Sequence, residues 1–511
     1  MPILLGLDIG TTGARTIAVD EYGVVVASAS AEYPLATPQP GWSEQDPNEW
    51  WRAACETLSA VAATVAGREI VGLGLTGQMH GATFLDAADA PIRPALLWND
   101  QRTAAQCAAM VEAVGAARLI AITGNPALTG FQAPKILWLR DAEPANYARV
   151  ARVLLPKDFV RLRLTGEAAT DASDAAGTLL LDVRRRDWST EVLAALGIPQ
   201  EWLPTVYEGP EIAGRLLSPV AAQLGLPVGL PVAAGGGDNA AAAVGTGIVA
   251  AGPVSVSLGT SGVVFAHADE FRPDPSGRLH AFCHAVPNKY HLMAVTLAAG
   301  GALRWWREIL GSDDYERLIA ETAAVPPGAE GLLFLPYLSG ERTPHLDPAA
   351  RGAFVGLTAR HTPAHLTRAV MEGVVFSLHD GFALIRELGV PIREVRATGG
   401  GARSDLWRRI LADTLDLPVR CVVAEEGPAY GAALLAGVGV GVWRDLDEAT
   451  ALVQLRPEQD EPDPVGVRVY ADYAALYRTL YPALRDAMGR LTALAASRCG
   501  GRDQCEGGAM N

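Results

Sequence analysis

The stretch Leu4–Asp20, LLGLDIGTTGARTIAVD, reads as an apolar strand, a glycine turn DIGTTG (8–13) and a second strand. Glycines at 10 and 13 allow a tight reversal, while Thr11 and Thr12 offer hydroxyl and backbone N–H groups of the kind that bind phosphate oxygens. Asp8 stands at the end of the first strand, where a carboxylate can hold magnesium through water. The plain alternative is an ordinary hairpin turn with Asp8 bonded to nearby backbone. The same pattern returns at 253–268, PVSVSLGTSGVVFAHA, with SLGTSG (257–262) in register. Gly10 then matches Gly259, Gly13 matches Gly262, Thr11 matches Thr260 and Thr12 matches Ser261. Serine replaces aspartate in the second copy, which suits a site where one carboxylate holds a metal and a second would repel bound phosphates.

Two strand–glycine–strand hairpins, each opening an α/β alternation, predict an α/β fold of two related domains facing one another across a cleft. The expected domains are 1–246 and 247–496, with 497–511 (SRCGGRDQCEGGAMN) a disordered tail that lacks periodicity. Working outward, Asp46, Pro47 and Glu49 predict a helix start with a capping box. Ile70–Leu75 reads as a strand running into TGQMHG (76–81). Residues 204–231, rich in Pro and Gly, read as a surface connection. Thr362 and Pro363 open a long helix over about 362–388, and Val395–Thr398 is a strand entering GGGARS (399–404). That last turn, with Gly400, Gly401 and Ser404, lets backbone approach a flat or anionic ligand closely.

GGGDN (235–239) is the most informative constellation. Asp238 follows three glycines at a strand-to-helix junction, so its carboxylate either caps the alanine helix or faces a cleft with little steric cover. Both roles coexist if Asn239 caps. In GQMHG (77–81), Gln78, Met79 and His80 follow a strand; His80 either bonds a polyol or serves the structure. In WND (98–100), Trp98 either packs on a sugar face or fills the core, with the core role ahead. GxSxG, HExxH and GxxxxGK[ST] do not occur, which removes esterase, zincin and P-loop readings.

The 511 residues exceed what one core organises, and the 49% hydrophobic and 19% charged content is that of a globular protein. A net charge of −15 argues against general nucleic-acid or anionic-membrane binding. The apolar stretch around 240–264 is broken by glycines and is not a membrane span, and no leader pattern precedes Ile3. Six dispersed cysteines without a CxxC pair fit reduced thiols in a cytoplasmic protein. Lysine occurs only at Lys135, Lys157 and Lys289, and arginine supplies the rest of the 42 basic residues; a GC-rich genome is the plain explanation.

Nearly end to end, from LGLDIGTTG to GPAYGAALLA (427–436), these motifs resemble the FGGY carbohydrate kinases of the sugar kinase–actin–Hsp70 superfamily. GFQAPKILWL (130–139) resembles the first family signature, and GAFVGL (352–357) with HLTRAVME (365–372) the second. GWSEQDPNEWW (41–51), GQMHGATFLD (77–86), LLPKDFVRLRLTGE (154–167), DASDAAGT (171–178) and LPYLSGERTPH (335–345) resemble the branch that phosphorylates D-xylulose. Glycerol kinases typically carry an Arg-Glu pair where Met79 and His80 stand.

The resemblance implies two RNase H-like domains, the first holding sugar and the second adenosine. It makes Asp238 the catalytic base and Met79 and His80 sugar contacts. Asp8 is implied to be important for activity through Mg²⁺. ATP is the implied donor, beside Thr11, Thr12, Gly259, Thr260, Gly400 and Gly401, and a homodimer is suggested. Two other readings stay open: a kinase of this family for another ketose or polyol such as ribulose, and a catalytically silent sugar-responsive regulator.

Overall fold

The structure, a computed structural model, describes residues 1–311, 314–424 and 427–499, with side chains to residue 495. Strands β1 (Pro2–Ile9), β2 (Gly13–Asp20) and β3 (Val25–Glu32) form an antiparallel meander. Helix α1 (Pro47–Thr64) follows, then β4 (Glu69–Gly77), β5 (Ile212–Arg215), β6 (Pro231–Gly237) and helix α2 (Asp238–Gly245). The first sheet has the order β5-β6-β4-β1-β2-β3, with β1, β4 and β6 parallel.

A second series repeats this plan: β7 (Gly252–Leu258), β8 (Gly262–Ala268), β9 (His280–Cys283), β10 (Tyr290–Thr296), α3 (Gly300–Leu310), α4 (Pro363–Glu387), β11 (Ile392–Thr398), α5 (Asp405–Leu415) and β12 (Val419–Val422). Helix α6 (Gly427–Gly439), β13 (Leu455–Asp460) and helix α7 (Pro464–Cys499) complete the chain. The second sheet runs β9-β10-β8-β7-β11-β12-β13, with β7, β11 and β12 parallel. In both sheets the glycine-turn hairpin lies beside two further parallel strands, which is the repeat seen in the sequence.

The first sheet is buried on both faces, as its parallel strands require. Ile3, Leu5, Leu7 and Ile9 join one cluster with Trp50, Ala53, Ala54, Leu58 and Val61 of α1, whose buried residues recur at helical spacing. Leu4, Ile17 and Val19 join a second cluster with Ala429, Ala433 and Leu434 of α6. Helix α6 approaches the strands most closely at Gly6 and Gly74, which carry no side chain beneath it. A Cβ on Gly6 would come within 1.9 Å of the Ala429 carbonyl oxygen, and one on Gly74 within 1.9 Å of that of Ala432.

That contact explains why a late segment joins the first unit. Among the described residues, one compact unit comprises 1–251, 265–292 and 422–455, and the other 252–264, 293–421 and 456–499. The 422–455 segment joins the first unit because α6 seats on glycines of strands more than 350 residues earlier.

Some expectations are revised. Asp46 caps α1 by accepting from Asn48 N at 2.9 Å, but Glu49 turns to Arg52 at 2.8 Å and does not complete the box. Residues 204–231 hold strand Thr205–Tyr207, β5 and helix Ser218–Leu224; the longest of these has seven residues, too few for a period to show. Helix α7 runs through residues 497–499 of the expected tail, and the remainder of that tail lies outside the described residues. The long helix opens as expected, with Thr362 at the cap and His365 Nδ1 accepting from Thr362 N at 3.3 Å.

Gly74→Ala should lower stability by about 1–3 kcal/mol, because its methyl group meets the Ala432 carbonyl. Thermal unfolding of the variant beside wild type checks this.

Candidate active site

In the first unit the register of the parallel strands sets the site. Asp8 lies opposite Thr76 and Ile9 opposite Gly77, while Gly237 also lies opposite Gly77. The carboxyl ends of β1, β4 and β6 are therefore level, and the residues that follow them converge, as at ligand sites of other parallel sheets.

Asp8 Oδ1 is buried and accepts no hydrogen bond from the described residues. Burial, then the negative charge of Asp238, pushes this carboxyl up to about 7, and Arg15 offsets part of the rise. The turn after it is pinned from outside: Gln45 Nε2 donates to the Thr11 carbonyl at 2.7 Å, and Trp98 Nε1 donates to Thr11 Oγ1 at 3.0 Å. Thr12 is exposed. Trp98 is 38% exposed, which corrects the core reading of that residue: it braces the phosphate-type turn at the surface.

Two of the three glycines before Asp238 have separate steric causes. Gly235 has φ +79° and a Cβ there would meet the Leu75 carbonyl oxygen at 1.7 Å; one on Gly237 would meet Met79 Cγ at 2.9 Å. Gly237 takes the cap position of α2, so Asp238 is the first helical residue and not the cap. Its Oδ1 accepts from Asn239 N at 2.7 Å and Asn239 Nδ2 at 2.8 Å. Burial pushes the Asp238 carboxyl up to about 6, against the two bonds from Asn239. Asn239 thus steadies the carboxylate while the helix N-terminus favours its charge.

After β4, Gln78 is 1% exposed and donates through Nε2 to Gln45 Oε1 at 3.0 Å, linking it to the Thr11 turn. Met79 is 3% exposed, packed against Gly237 and Gly177. His80 has φ +67°, a left-handed conformation that costs a non-glycine residue roughly 1–2 kcal/mol. Its Nδ1 donates to the Gly177 carbonyl at 2.6 Å and its ring lies 4.6 Å from that of Phe131. Asp8, Met79, His80, Asp238 and Asn239 are thus gathered at one end of the sheet, while Gln78 acts from beneath as a brace.

Behind Gly237 lies a buried ionic cluster whose residues the sequence reading used only as family marks. Lys157 Nζ is 2.6 Å from Asp158, 2.8 Å from Asp171 and 3.3 Å from Asp174, all fully buried. Burial would lower the Lys157 ammonium; the three carboxylates reverse this and hold it above its ordinary value. Burial holds Asp174 well above the usual carboxylate range, and Asp238 adds to the rise. Ser173 Oγ accepts from Gly237 N at 3.1 Å, tying the cluster to the strand end that carries Asp238. The clue in the sequence was four charged residues inside otherwise apolar or small-residue segments, LLPKDF and DASDAAG.

In the second unit, Gly259, Thr260, Gly400 and Gly401 line one cavity of about 320 Å³. Helix α3 starts on the turn: Gly300 N donates to the Gly259 carbonyl at 2.7 Å and Gly301 N to that of Thr260 at 3.0 Å. Arg304, Arg307 and Tyr315 also line the cavity and were missed by sequence reading. Their clue was the glycine pair opening an amphipathic helix at 300–310. Ser404 does not line it; its Oγ caps α5, accepting from Trp407 N at 3.3 Å.

Among the described residues no group of three or more His, Cys, Asp or Glu side chains could hold a metal ion, and no single helix is long and apolar enough to cross a membrane. The orphaned, buried Asp8 oxygen beside the charge of Asp238 is nonetheless a hard-oxygen pair suited to a divalent cation that arrives with phosphates.

The chain is 45% identical to a xylulose kinase of Escherichia coli strain K12 over 483 residues, 94% of this chain and 99% of that one. It is 40% identical to a xylulose kinase of Bacillus subtilis strain 168 over 489 residues, 95% and 98% of the two chains. The crystal structure of a xylulose kinase from Rhodospirillum rubrum superposes with a TM-score of 0.90 at 33% identity, covering 95% of this chain and 99% of that one. The N-terminal domain of the FGGY family of carbohydrate kinases matches residues 3–245 and its C-terminal domain residues 254–440. With matches that span both α/β repeats, the chain belongs to the FGGY family of carbohydrate kinases.

Proposed function

We propose that this kinase transfers the γ-phosphate of ATP to the 5-hydroxyl of D-xylulose, giving D-xylulose 5-phosphate and ADP. The observation that carries the reading is the 45% identity, over nearly the whole of both chains, to a xylulose kinase. The placement of Met79 against Gly237, next to Asp238, supports it.

In this reading D-xylulose lies at the ends of β1, β4 and β6, with His80 and Met79 against it and Trp98 at the rim. Asp238 accepts the proton of the attacking hydroxyl as that oxygen adds in line to the γ-phosphorus. A carboxylate whose affinity for protons is raised by burial is a better base than one in water, and it is still ionised at neutral pH. The adenosine end of ATP occupies the cavity lined by Gly400 and Gly401. Thr11, Thr12 and Thr260 present hydroxyls, and the turns present backbone N–H groups, to phosphate oxygens. Asp8 would hold the Mg²⁺ that accompanies ATP, which when bound neutralises phosphate charge. Free thiols at Cys55, Cys107, Cys283 and Cys421 support a cytoplasmic setting.

The test is an ADP-release assay of the purified protein with MgATP against D-xylulose, D-ribulose, L-ribulose, glycerol and gluconate, with product mass measured. A clear preference for D-xylulose is expected. Preference for another sugar would keep Asp238 and overturn the reading of Met79 and His80; ATP binding without any transfer would point to a regulator.

Asp238→Ala should cut turnover at least roughly 100-fold, since a positioned base is worth about 10²–10⁴ in rate, while ATP affinity stays close to wild type. Near-normal turnover in the folded variant would remove Asp238 from the mechanism. The pH profile follows from the raised carboxyls. The Asp8 carboxylate is lost as pH falls through about 7 and the base through about 6, so kcat/KM should begin to fall near pH 7 and fall more steeply below about 6.

A further inference from the structure

We propose that Lys135 is a positioning residue, holding the His80 backbone in its left-handed conformation so that the imidazole meets the sugar. The proposal rests on the reading that His80 contacts the sugar.

Lys135 lies in the first turn of helix Gln132–Ala142 and is 0% exposed. Its Nζ donates to the His80 carbonyl at 2.9 Å and also to the Gly130 carbonyl. Among the described residues no carboxylate is within ion-pair distance of it; Asp100 acts only as a more distant charge. Burying a lysine without an ion pair is unfavourable, and burial pushes this ammonium down to about 7. A position that only filled space would be served better by methionine or leucine.

The chain uses arginine for nearly all its positive charge, with three lysines in 511 residues, yet here it has a lysine. A compact ammonium can aim separate N–H bonds at two carbonyls inside a closed space that a planar guanidinium would overfill. The two carbonyls belong to the segment that carries His80 and to the loop before helix Gln132–Ala142. The same loop brings Phe131, whose ring lies 4.6 Å from the imidazole. His80 is therefore held at its carbonyl by Lys135, at Nδ1 by Gly177 and on its ring by Phe131. The first of these acts on the backbone that is strained at φ +67°.

The experiment is a double-mutant cycle on the full-length enzyme with Lys135→Met, His80→Gly and the pair, reading KM and kcat for D-xylulose and ATP separately. Glycine is chosen at 80 because it accepts the left-handed conformation while removing the ring. Lys135→Met should raise the D-xylulose KM at least about tenfold, in line with the sensitivity of rates to small misplacements, and leave the ATP KM within about twofold. In the His80→Gly background the same substitution should change the D-xylulose KM less than about threefold. Lys135→Gln, which keeps an N–H donor of similar reach, should recover part of the loss. If Lys135→Met does not fold, Lys135→Gln with and without His80→Gly carries the same comparison.

Equal losses in both backgrounds, or a loss shared by sugar and ATP, would show a merely structural lysine and overturn the proposal. An unchanged D-xylulose KM in His80→Gly would instead overturn the sugar-contact reading beneath it, and the role of Lys135 with it. The two failures are thereby distinguished.

Discussion

The register of three parallel strands is the constraint on which the candidate site depends. Because Ile9, Gly77 and Gly237 stand at one level across β1, β4 and β6, the residues next to them in the chain are forced together. A shift of one residue would turn Asp8 or Asp238 toward the opposite face. That register is held by close backbone approach and not by large side chains. Gly235 admits the Leu75 carbonyl, Gly237 admits Met79, and Gly6 and Gly74 admit helix α6. The glycines that the sequence displays in phosphate-type turns are thus matched by glycines whose task is to let strands and a helix touch.

Charge is managed by burial more than by pairing at the reacting end of this unit. Asp8 and Asp238 are both raised toward neutrality by desolvation, and Asp8 further by its neighbour. One deeper layer holds Lys157 among three aspartates, joined to Gly237 through Ser173. What this buried ionic cluster touches, through Ser173, is the strand end that carries the candidate base. The second unit works differently. There the turn Gly259–Gly262 is stitched through its carbonyls to the first N–H groups of α3, leaving a cavity framed by backbone and by Arg304, Arg307 and Tyr315.

Much of this was legible in the chain. The DIGTTG and SLGTSG copies announced two α/β repeats, and the glycine run before Asp238 announced a junction with little cover; both arise from short-range sterics that act within a few residues. Residues whose roles depend on which of several partners wins were read less well. Trp98 looked like core because an apolar run precedes it, yet it bonds Thr11 from the surface. Ser404, read as part of the turn that approaches the nucleotide, caps α5. Glu49 had the spacing of a capping box but was drawn away by Arg52.

By itself, then, the sequence determined the α/β class, the repeated hairpins, the turn glycines and the chemical identity of the carboxylates, because periodicity, φ freedom and functional groups are local properties. Only the tertiary structure decided that helix α6 belongs with strands at the other end of the chain. Only it decided that Lys157 and Lys135 are buried under different parts of the site, and that Asp238 raises the cost of ionising Asp8. Those outcomes depend on which surfaces exclude water together, and exclusion of water is set by contacts between segments hundreds of residues apart.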